Sequence, residues 1–335
     1  MKDINKDIGT KTLLVFNCHE PWVYQLGVLG YDLDIIVGLK GRHKPVWDEQ
    51  MRPVPTNSRF VHLEDALSAK KPYYCIITHN ISDLLDVKYR DEPRLLVIHS
   101  TMEGRLLEEG QQVEPEEMKS QLRQYLDLVG GHAVAVSSMK GNSWGFTEDI
   151  VPFGAESNDY YPYQGDKSCG LRICNFIESR RRILLWDFHE KAFGGLSVKL
   201  VGHNPGMAGV SASNNWEELK RMLQSHRFFI HTADPQLEDG YNMATVEAMS
   251  AGMPILGNNH PGSPIRHGIS GFLSDDPAEL RQYAELLLKD RDLAIQMGRE
   301  ARKTAGQELS LEKFKAGFLK SIETARFKSR MKKIL

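Results

Sequence analysis

Four acidic residues lie in one stretch of this 335-residue sequence, from Phe228 to Leu256, and three of them could bind a ligand. Glu238 and Asp239 are adjacent, and Glu247 follows within the same stretch. An ionised carboxylate accepts hydrogen bonds, so it can hold the hydroxyl groups of a sugar or a ribose. The residue types therefore indicate a binding site for a ligand that is rich in hydroxyl groups.

The elements that must position these acids are a strand, a loop and the start of a helix. Phe228–His231 is an apolar run that predicts a buried strand, and Asn242 is a plausible N-cap for a helix over Thr245–Ala251. In an open parallel sheet, such a loop lies at the carboxyl edge, where ligands bind. The N–H groups near Met243 and Ala244 are then expected to face an anion, which the helix dipole also attracts. An anion, a diol and a carboxylate together suggest a sugar nucleotide.

The stretch from Asp239 to Pro254 resembles the acidic signature of glycosyltransferase family 4, also called glycosyl transferases group 1. That signature is a Glu, seven residues, a second Glu and an Ala-Met-x-x-Gly-x-Pro run. The resemblance implies that Glu247 binds the donor ribose and that Asp239, in place of the usual Glu, lies at the donor sugar. Glu238 is the alternative for the second role. The residues between the acids are expected to help bind the donor: Gly240, Asn242, Met243 and Ala244.

Other parts of the sequence match the family more loosely. Family members commonly have a His after each of two strands of the first domain, and His79 and His99 match those positions. The resemblance makes His99 a catalytic candidate and His79 a cleft contact, with a structural histidine as the alternative for each. Arg180 matches a cation that grips the donor diphosphate, with a surface arginine cluster as the alternative, and Asn175 stands where a second cation is usual. Gly202 ends a strand that resembles the family's strand near the nucleobase.

The first predicted strand runs directly into His19, Glu20 and Pro21, where family members usually have a Gly-Gly loop. Pro is well tolerated in the first turn of a helix, so this segment predicts a strand-to-helix turn. His19 and Glu20 are either contacts at the mouth of the cleft or parts of a capping turn.

The remaining pattern predicts an α/β protein, because short apolar strands alternate with helical stretches. The resemblance then implies the GT-B fold, in which two Rossmann-like parallel-sheet domains face a central cleft. We expect an acceptor-side domain over residues 1–160, with the helix at 311–335 packing back on it, and a nucleotide-sugar donor domain over 161–310. The predicted strands outside the acidic stretch are 12–17, 34–38, 60–63, 74–78, 95–99, 133–137, 171–176 and 198–202.

Composition excludes several classes of function. A formal net charge of −2 argues against general nucleic-acid binding. The sequence has no apolar run near the ~18 residues needed to span a bilayer, and its beginning lacks a signal-peptide core. The four cysteines have no zinc-type spacing, which predicts reduced thiols in a cytoplasmic protein. The basic tail Arg326–Lys333 is either a solvated end or a peripheral contact with the inner face of the membrane.

The sequence therefore predicts a glycosyltransferase that moves a sugar from a nucleoside diphosphate sugar to a saccharide acceptor. The family resemblance implies retention of configuration, a cell-envelope glycan or lipid-linked saccharide as acceptor, and no requirement for a metal or another cofactor. Two alternatives stay open: a GT-B epimerase that acts on a sugar nucleotide, and a sugar-nucleotide-binding protein without catalysis.

Overall fold

The computed structural model describes residues 11–39, 41, 46–110 and 113–334. Contacts divide the chain into two compact units. The first takes in the chain up to Ile98, Glu116–Val134 and the chain from Lys315 onward, and the second takes in His99–Pro115 and Ala135–Phe314. The domain boundaries expected at 160 and 310 stay a prediction.

Two sheets organise the described residues. The strands of the first are β1 (Thr12–Phe16), β2 (Asp32–Ile36), β3 (Ser58–Val61), β4 (Cys75–Thr78), β5 (Arg94–Ile98) and β6 (His132–Ala135), in the order β3-β2-β1-β4-β5-β6. The strands of the second are β7 (Lys167–Ile173), β8 (Val198–Val201), β9 (His226–Ile230), β10 (Ile255–Gly257) and β11 (Gly271–Leu273), in the order β11-β10-β9-β7-β8. The paired strands run parallel, with Leu14 opposite Asp34 and Ile76, and Ile255 opposite Phe229. The predicted α/β class is therefore confirmed.

Helices connect and cover the strands. In chain order they are α1 (Glu20–Gln25), α2 (Leu63–Ser68), α3 (Ile81–Asp86), α4 (Met102–Glu109), α5 (Pro115–Val129), α6 (Ser138–Trp144), α7 (Trp186–Phe193), α8 (Trp216–Ser225), α9 (Met243–Ala251), α10 (Pro277–Lys289), α11 (Arg291–Glu308) and α12 (Leu311–Ile334). Among the described residues, no helix is both long enough and apolar enough to cross a membrane.

Each sheet carries its own apolar core. In the first, Leu14 and Phe16 of β1 pack with Ile36 and Ile76, and all four are fully buried. In the second, Phe228, Ile230 and Leu256 pack with side chains of α7, α10 and α11. Side chains buried on both faces of a parallel sheet explain why these strands have continuous apolar sequences. The strand ends are thereby held in fixed positions.

The basic tail of the sequence is helical. The tail Arg326–Lys333, expected to be a solvated end or a membrane contact, lies within the last turns of α12. Within the first unit, the ring of Phe318 packs edge-on against Trp22, with centroids 5.5 Å apart. The guanidinium of Arg326 lies 3.4 Å from the centre of the Tyr74 ring. These contacts explain why the helix continues toward the end of the chain.

The connection between β7 and α7 is not a continuous helix. The chain forms turns through Leu185, and α7 begins only at Trp186. Leu185 has the left-handed φ of 47° that interrupts a right-handed helix. The carbonyl of Leu184 accepts hydrogen bonds from Arg172 Nη2 and Thr232 Oγ1, both at 2.8 Å. Side chains from elsewhere in the second unit thus take the carbonyl that a helix would use.

Candidate functional site

The helix that follows the acidic pair begins as the sequence predicted. The Asn242 side chain accepts a hydrogen bond from the Thr245 N–H at 2.9 Å, and the Asn242 N–H donates to Thr245 Oγ1 at 3.3 Å. This reciprocal capping box fixes the start of α9. Met243 and Ala244 are half-buried there. The positive end of the helix dipole is therefore held at a partly accessible position.

A buried lysine joins the two adjacent acids. Lys140 of α6 places Nζ 3.0 Å from Glu238 Oε1 and 2.9 Å from Asp239 Oδ2. The Ser137 hydroxyl donates to Asp239 Oδ1 at 2.8 Å and accepts the Lys140 N–H at 3.2 Å. One cation and one hydroxyl of the α6 start therefore hold the acidic pair in place.

This network shifts the pKa of its charged members. Burial alone would raise the pKa of Glu238, but the positive charges of Lys140 and Arg180 outweigh burial and lower it to about 2. Burial would lower the pKa of Lys140, yet Glu238 and Asp239 raise it above its usual value. Glu238 is accordingly ionised and Lys140 is protonated at neutral pH. The buried charges compensate one another.

Arg180 reaches the same acidic pair from the turns after β7. Its Nη2 lies 3.1 Å from Glu238 Oε2, and its Nε is ion-paired with Glu108 of α4. Its neighbour Arg181 pairs with Asp187 and with another carboxylate on α7. Arg180 therefore lies at the candidate site, whereas Arg181 pairs with carboxylates on α7.

Two histidines hold the backbone of the acidic pair. The carbonyl of Glu238 lies 2.8 Å from His260 Nε2, and the carbonyl of Asp239 lies 3.1 Å from His231 Nε2. Because a carbonyl only accepts hydrogen bonds, both Nε2 atoms must carry the proton. Gly240 leaves the space for this arrangement, since an added Cβ would lie 2.6 Å from His260 Nδ1. Gly240 therefore has a clear structural role in this loop.

Glu247 lies on the second turn of α9. Its carboxylate is buried, at 5% exposure, and its Oε1 accepts a hydrogen bond from the Tyr160 hydroxyl at 3.1 Å. The residue does not point into bulk water. Its predicted role at the donor ribose stays a prediction.

Two other candidate residues of the sequence analysis, Gly202 and Asn175, lie just beyond the ends of β8 and β7. Gly202 has φ +140°, and an added Cβ would lie 2.1 Å from the carbonyl oxygen of Cys174. Asn175, at the position of an expected cation, accepts the His203 N–H at 2.8 Å. Both residues therefore hold β7 and β8 close together.

The three candidate histidines have different surroundings. In the first unit, His19 is exposed and precedes α1, and His79 is buried with its ring 5.0 Å from that of Trp22. His99, in the second unit, is half-buried. Glu20, which follows His19, is buried and accepts hydrogen bonds from Asn17 Nδ2 and the Asp48 N–H, each at 3.2 Å. Glu20 is thus an internal structural group, and its two alternative roles stay predictions.

Sequence reasoning missed several members of the network. They are Ser137, Lys140, Glu108, His231, His260 and Tyr160. One signal was available for two of them: a Ser followed three residues later by a Lys, directly after a predicted strand. Strand ends of a parallel sheet gather polar groups, so this pair was a reasonable candidate.

The comparison with known families places the acidic pair and α9 inside a recognised segment. Residues 206–304 match the family described as Glycosyl transferases group 1. A segment of 98 residues is 34% identical to the amylovoran biosynthesis glycosyltransferase AmsK of Erwinia amylovora, covering 28% of this chain and 21% of that protein. A segment of 80 residues is 32% identical to the N-acetyl-α-D-glucosaminyl L-malate synthase of Bacillus anthracis, covering 23% of this chain and 21% of that protein. The chain aligns with about a fifth of the length of these relatives, and the predicted resemblance to group 1 glycosyltransferases is confirmed.

Solved structures resemble nearly the whole chain. A sucrose-phosphate synthase from Thermosynechococcus elongatus has a TM-score of 0.64 and 12% identity, covering 92% of this chain and 98% of that chain. HepE from Anabaena, in complex with UDP-glucose, has a TM-score of 0.62 and 14% identity, covering 93% and 99%. TarM from S. aureus has a TM-score of 0.54 and 13% identity, covering 74% and 55%. At such low identity the likeness establishes the fold, which is GT-B with two parallel-sheet domains, as predicted.

Proposed function

We propose that this protein is a glycosyltransferase that takes a sugar from a nucleoside diphosphate sugar. The observation that carries the proposal is the segment from β9 into α9, which presents an acidic pair, a capped helix start and a buried Glu247. This segment lies inside the match to the group 1 glycosyltransferases. Each part of it corresponds to one part of such a donor.

The diphosphate of the donor is the group that suits the helix start and Arg180. A helix N-terminus attracts anions through its dipole and its N–H groups. A guanidinium binds two phosphate oxygens at once. Met243 and Ala244 are partly accessible at that helix start, and Arg180 is partly exposed. Together they would stabilise the negative charge that develops on the leaving diphosphate, so the proposal requires no metal ion.

The hydroxyl groups of the donor suit the carboxylates. Glu247 would accept hydrogen bonds from the ribose, with Tyr160 holding its other side. The acidic pair would accept hydrogen bonds from the transferred sugar. His99, His79 and His19 are candidates for further contacts with the donor or acceptor. Retention of configuration is part of the proposal through the resemblance.

The relatives support a saccharide acceptor. AmsK is named for amylovoran biosynthesis, and TarM is described in complex with α-GlcNAc-glycerol and UDP. HepE is described in complex with UDP and glucose. We therefore propose a cell-envelope glycan or a lipid-linked saccharide as the acceptor class.

A thermal-shift screen against UDP-, GDP-, ADP- and dTDP-sugars tests the proposal. A ligand that binds the folded state raises the melting temperature, and we expect one nucleotide class to do so at millimolar concentration. Product analysis of the responding donor then separates the alternatives. A transferase releases nucleoside diphosphate faster when a saccharide acceptor is added, an epimerase yields a changed sugar without acceptor, and a binding protein leaves the donor intact. A melting temperature unmoved by every sugar nucleotide would overturn the proposal.

A further inference from the structure

The two adjacent acids differ in how tightly the protein holds them. The Asp239 side chain is 2% exposed. Ser137 donates to its Oδ1 at 2.8 Å, and Lys140 Nζ lies 2.9 Å from its Oδ2. Both oxygens are therefore engaged by the start of α6. Asp239 is a fixed part of the framework.

Glu238 is more accessible, and one of its oxygens faces an exchangeable partner. Its side chain is 16% exposed. Oε1 is held by Lys140 Nζ and by the Asp239 N–H, each at 3.0 Å. Oε2 faces Arg180 Nη2, whose side chain is 30% exposed. Ion pairs that solvent can reach contribute little, so a ligand can replace this one.

We propose that Lys140 is a positioning residue that locks Asp239 into the framework and orients Glu238, so that Glu238 is the carboxylate that meets the donor sugar. The inference rests on the proposed function and deepens it. It assigns the sugar contact to the residue before the one that aligns with the family signature. Asp239 then acts through Lys140 and Ser137.

Charge balance explains why the lysine is needed. Two adjacent carboxylates repel each other, and burial disfavours their ionised forms. The ammonium group of Lys140 lies between the two carboxylates and pairs with both, so one cation offsets their repulsion. Arg180 is thereby left with one carboxylate of the pair, and that bond is the one a donor can replace. The charged and titratable groups that face Glu238 are Lys140, Arg180, Asp239, His231, His260 and Cys174, with Glu108 on the far side of Arg180.

Matched amide substitutions of the two acids test the assignment. Glu238→Gln keeps the Lys140–Asp239 pair, and Asp239→Asn keeps the Lys140–Glu238 pair, so both variants should fold. We expect Glu238→Gln to lower kcat with the responding sugar nucleotide at least tenfold more than Asp239→Asn does. We also expect Glu238→Gln to bind the nucleoside diphosphate, which has no sugar, at least as tightly as the wild type, because the substitution removes one carboxylate partner of Arg180. A larger kcat loss in Asp239→Asn overturns the inference.

Substitutions of Lys140 test its positioning role. We expect Lys140→Gln to lower kcat and to shift the acidic limb of the kcat/KM profile to higher pH, and Lys140→Arg to restore part of both. Lys119→Gln, which breaks an exposed Lys119–Glu116 pair, is the matched control. If Lys140→Gln does not fold, Lys140→Gln combined with Asp239→Asn removes both buried charges. This double variant should show a smaller pH shift in the same direction, because the repulsion between the two carboxylates is lost as well. A lower melting temperature with an unchanged pH profile overturns the positioning role.

Measurements on the wild-type protein distinguish failure of the proposed function from failure of this inference alone. If it binds no nucleoside diphosphate, the proposed function and this inference both fail. If it binds and turns over a donor but the order of the two amide variants is reversed, this inference fails alone.

Discussion

His260 donates a hydrogen bond from Nε2 to the backbone carbonyl of Glu238, at 2.8 Å. Its Nδ1 accepts the N–H of Gly262 at 2.9 Å, which fixes the tautomer. The chain after β10 is therefore tied to the acidic pair through one ring. The position of the Glu238 backbone depends on the close approach of that ring.

Gly240 is the residue that permits this approach, and we predict that Gly240→Ala destabilises the protein. An added Cβ would lie 2.6 Å from both His260 Nδ1 and the Ser263 nitrogen, too close for an ordinary contact. Overpacking of this kind costs about 1–3 kcal/mol, which urea denaturation will measure. Gly262→Ala is the matched control, because its Cβ would meet the same ring at 3.4 Å. Equal stability of the two variants would contradict this account.

If Glu247 binds the donor ribose as we propose, Glu247→Ala should weaken binding of the sugar nucleotide, because the ribose hydroxyls would lose their acceptor. A lost hydrogen bond with a buried partner costs about 1–3 kcal/mol, or roughly 5- to 150-fold in Kd, which calorimetry will measure. Glu217→Ala is the matched control, since Glu217 accepts from the Tyr161 hydroxyl at 2.7 Å in an exposed tyrosine–carboxylate pair. Unchanged donor affinity in Glu247→Ala would remove this residue from the donor site.

If Arg180 binds the donor diphosphate as we propose, Glu108→Gln should tighten donor binding, because Glu108 is ion-paired with Arg180 and would compete with the diphosphate. An exposed ion pair contributes about 0.2–1 kcal/mol, so we expect affinity to rise about 1.4- to fivefold. Arg180→Ala should do the opposite and lower turnover without a large change in melting temperature. Glu109→Gln, which breaks the neighbouring Arg105–Glu109 pair of the same helix, is the control. A donor affinity in Glu108→Gln equal to that of the control would show that Arg180 does not bind the diphosphate.

Local sequence pattern was enough to predict much of the fold and the start of the helix at the site. Apolar runs such as Phe228–His231 identified the strands, because side chains buried on both faces leave a continuous signal. Asn242 was identified as the N-cap because its side chain acts on the residues that immediately follow. These interactions are local, so they are visible in a single stretch of sequence.

The ion network could not be predicted, because its partners are far apart in the chain. Ser137 and Asp239 are separated by 102 positions, and the fold alone brings them together. The left-handed Leu185 was missed for a similar reason, since Arg172 takes the carbonyl of Leu184. Tertiary partners overrode the local preference in both cases.

One acid and two aromatic residues lie around Lys140. Asp239, which stands where the family signature has a Glu, pairs with the ammonium group. The rings of Phe153 and Tyr241 pack edge-to-face with centroids 6.2 Å apart. Lys140 Nζ lies 5.9 Å from the centre of the Phe153 ring. The shorter acid and the aromatic pair therefore form one packed surrounding for this lysine.

His231→Gln should reduce the loss of stability at acidic pH. Burial lowers the pKa of His231 to about 4, while an unfolded His titrates near 6.5. The neutral ring therefore stabilises the fold fully above pH 6.5, and this contribution is lost as pH falls toward 4. The free energy of unfolding falls by about 3 kcal/mol over this pH range. A Gln side chain can donate to the Asp239 carbonyl without titrating. Urea denaturation at a series of pH values measures the difference, and His203→Gln at the surface is the control. Parallel curves of stability against pH for His231→Gln and the wild type would contradict the prediction.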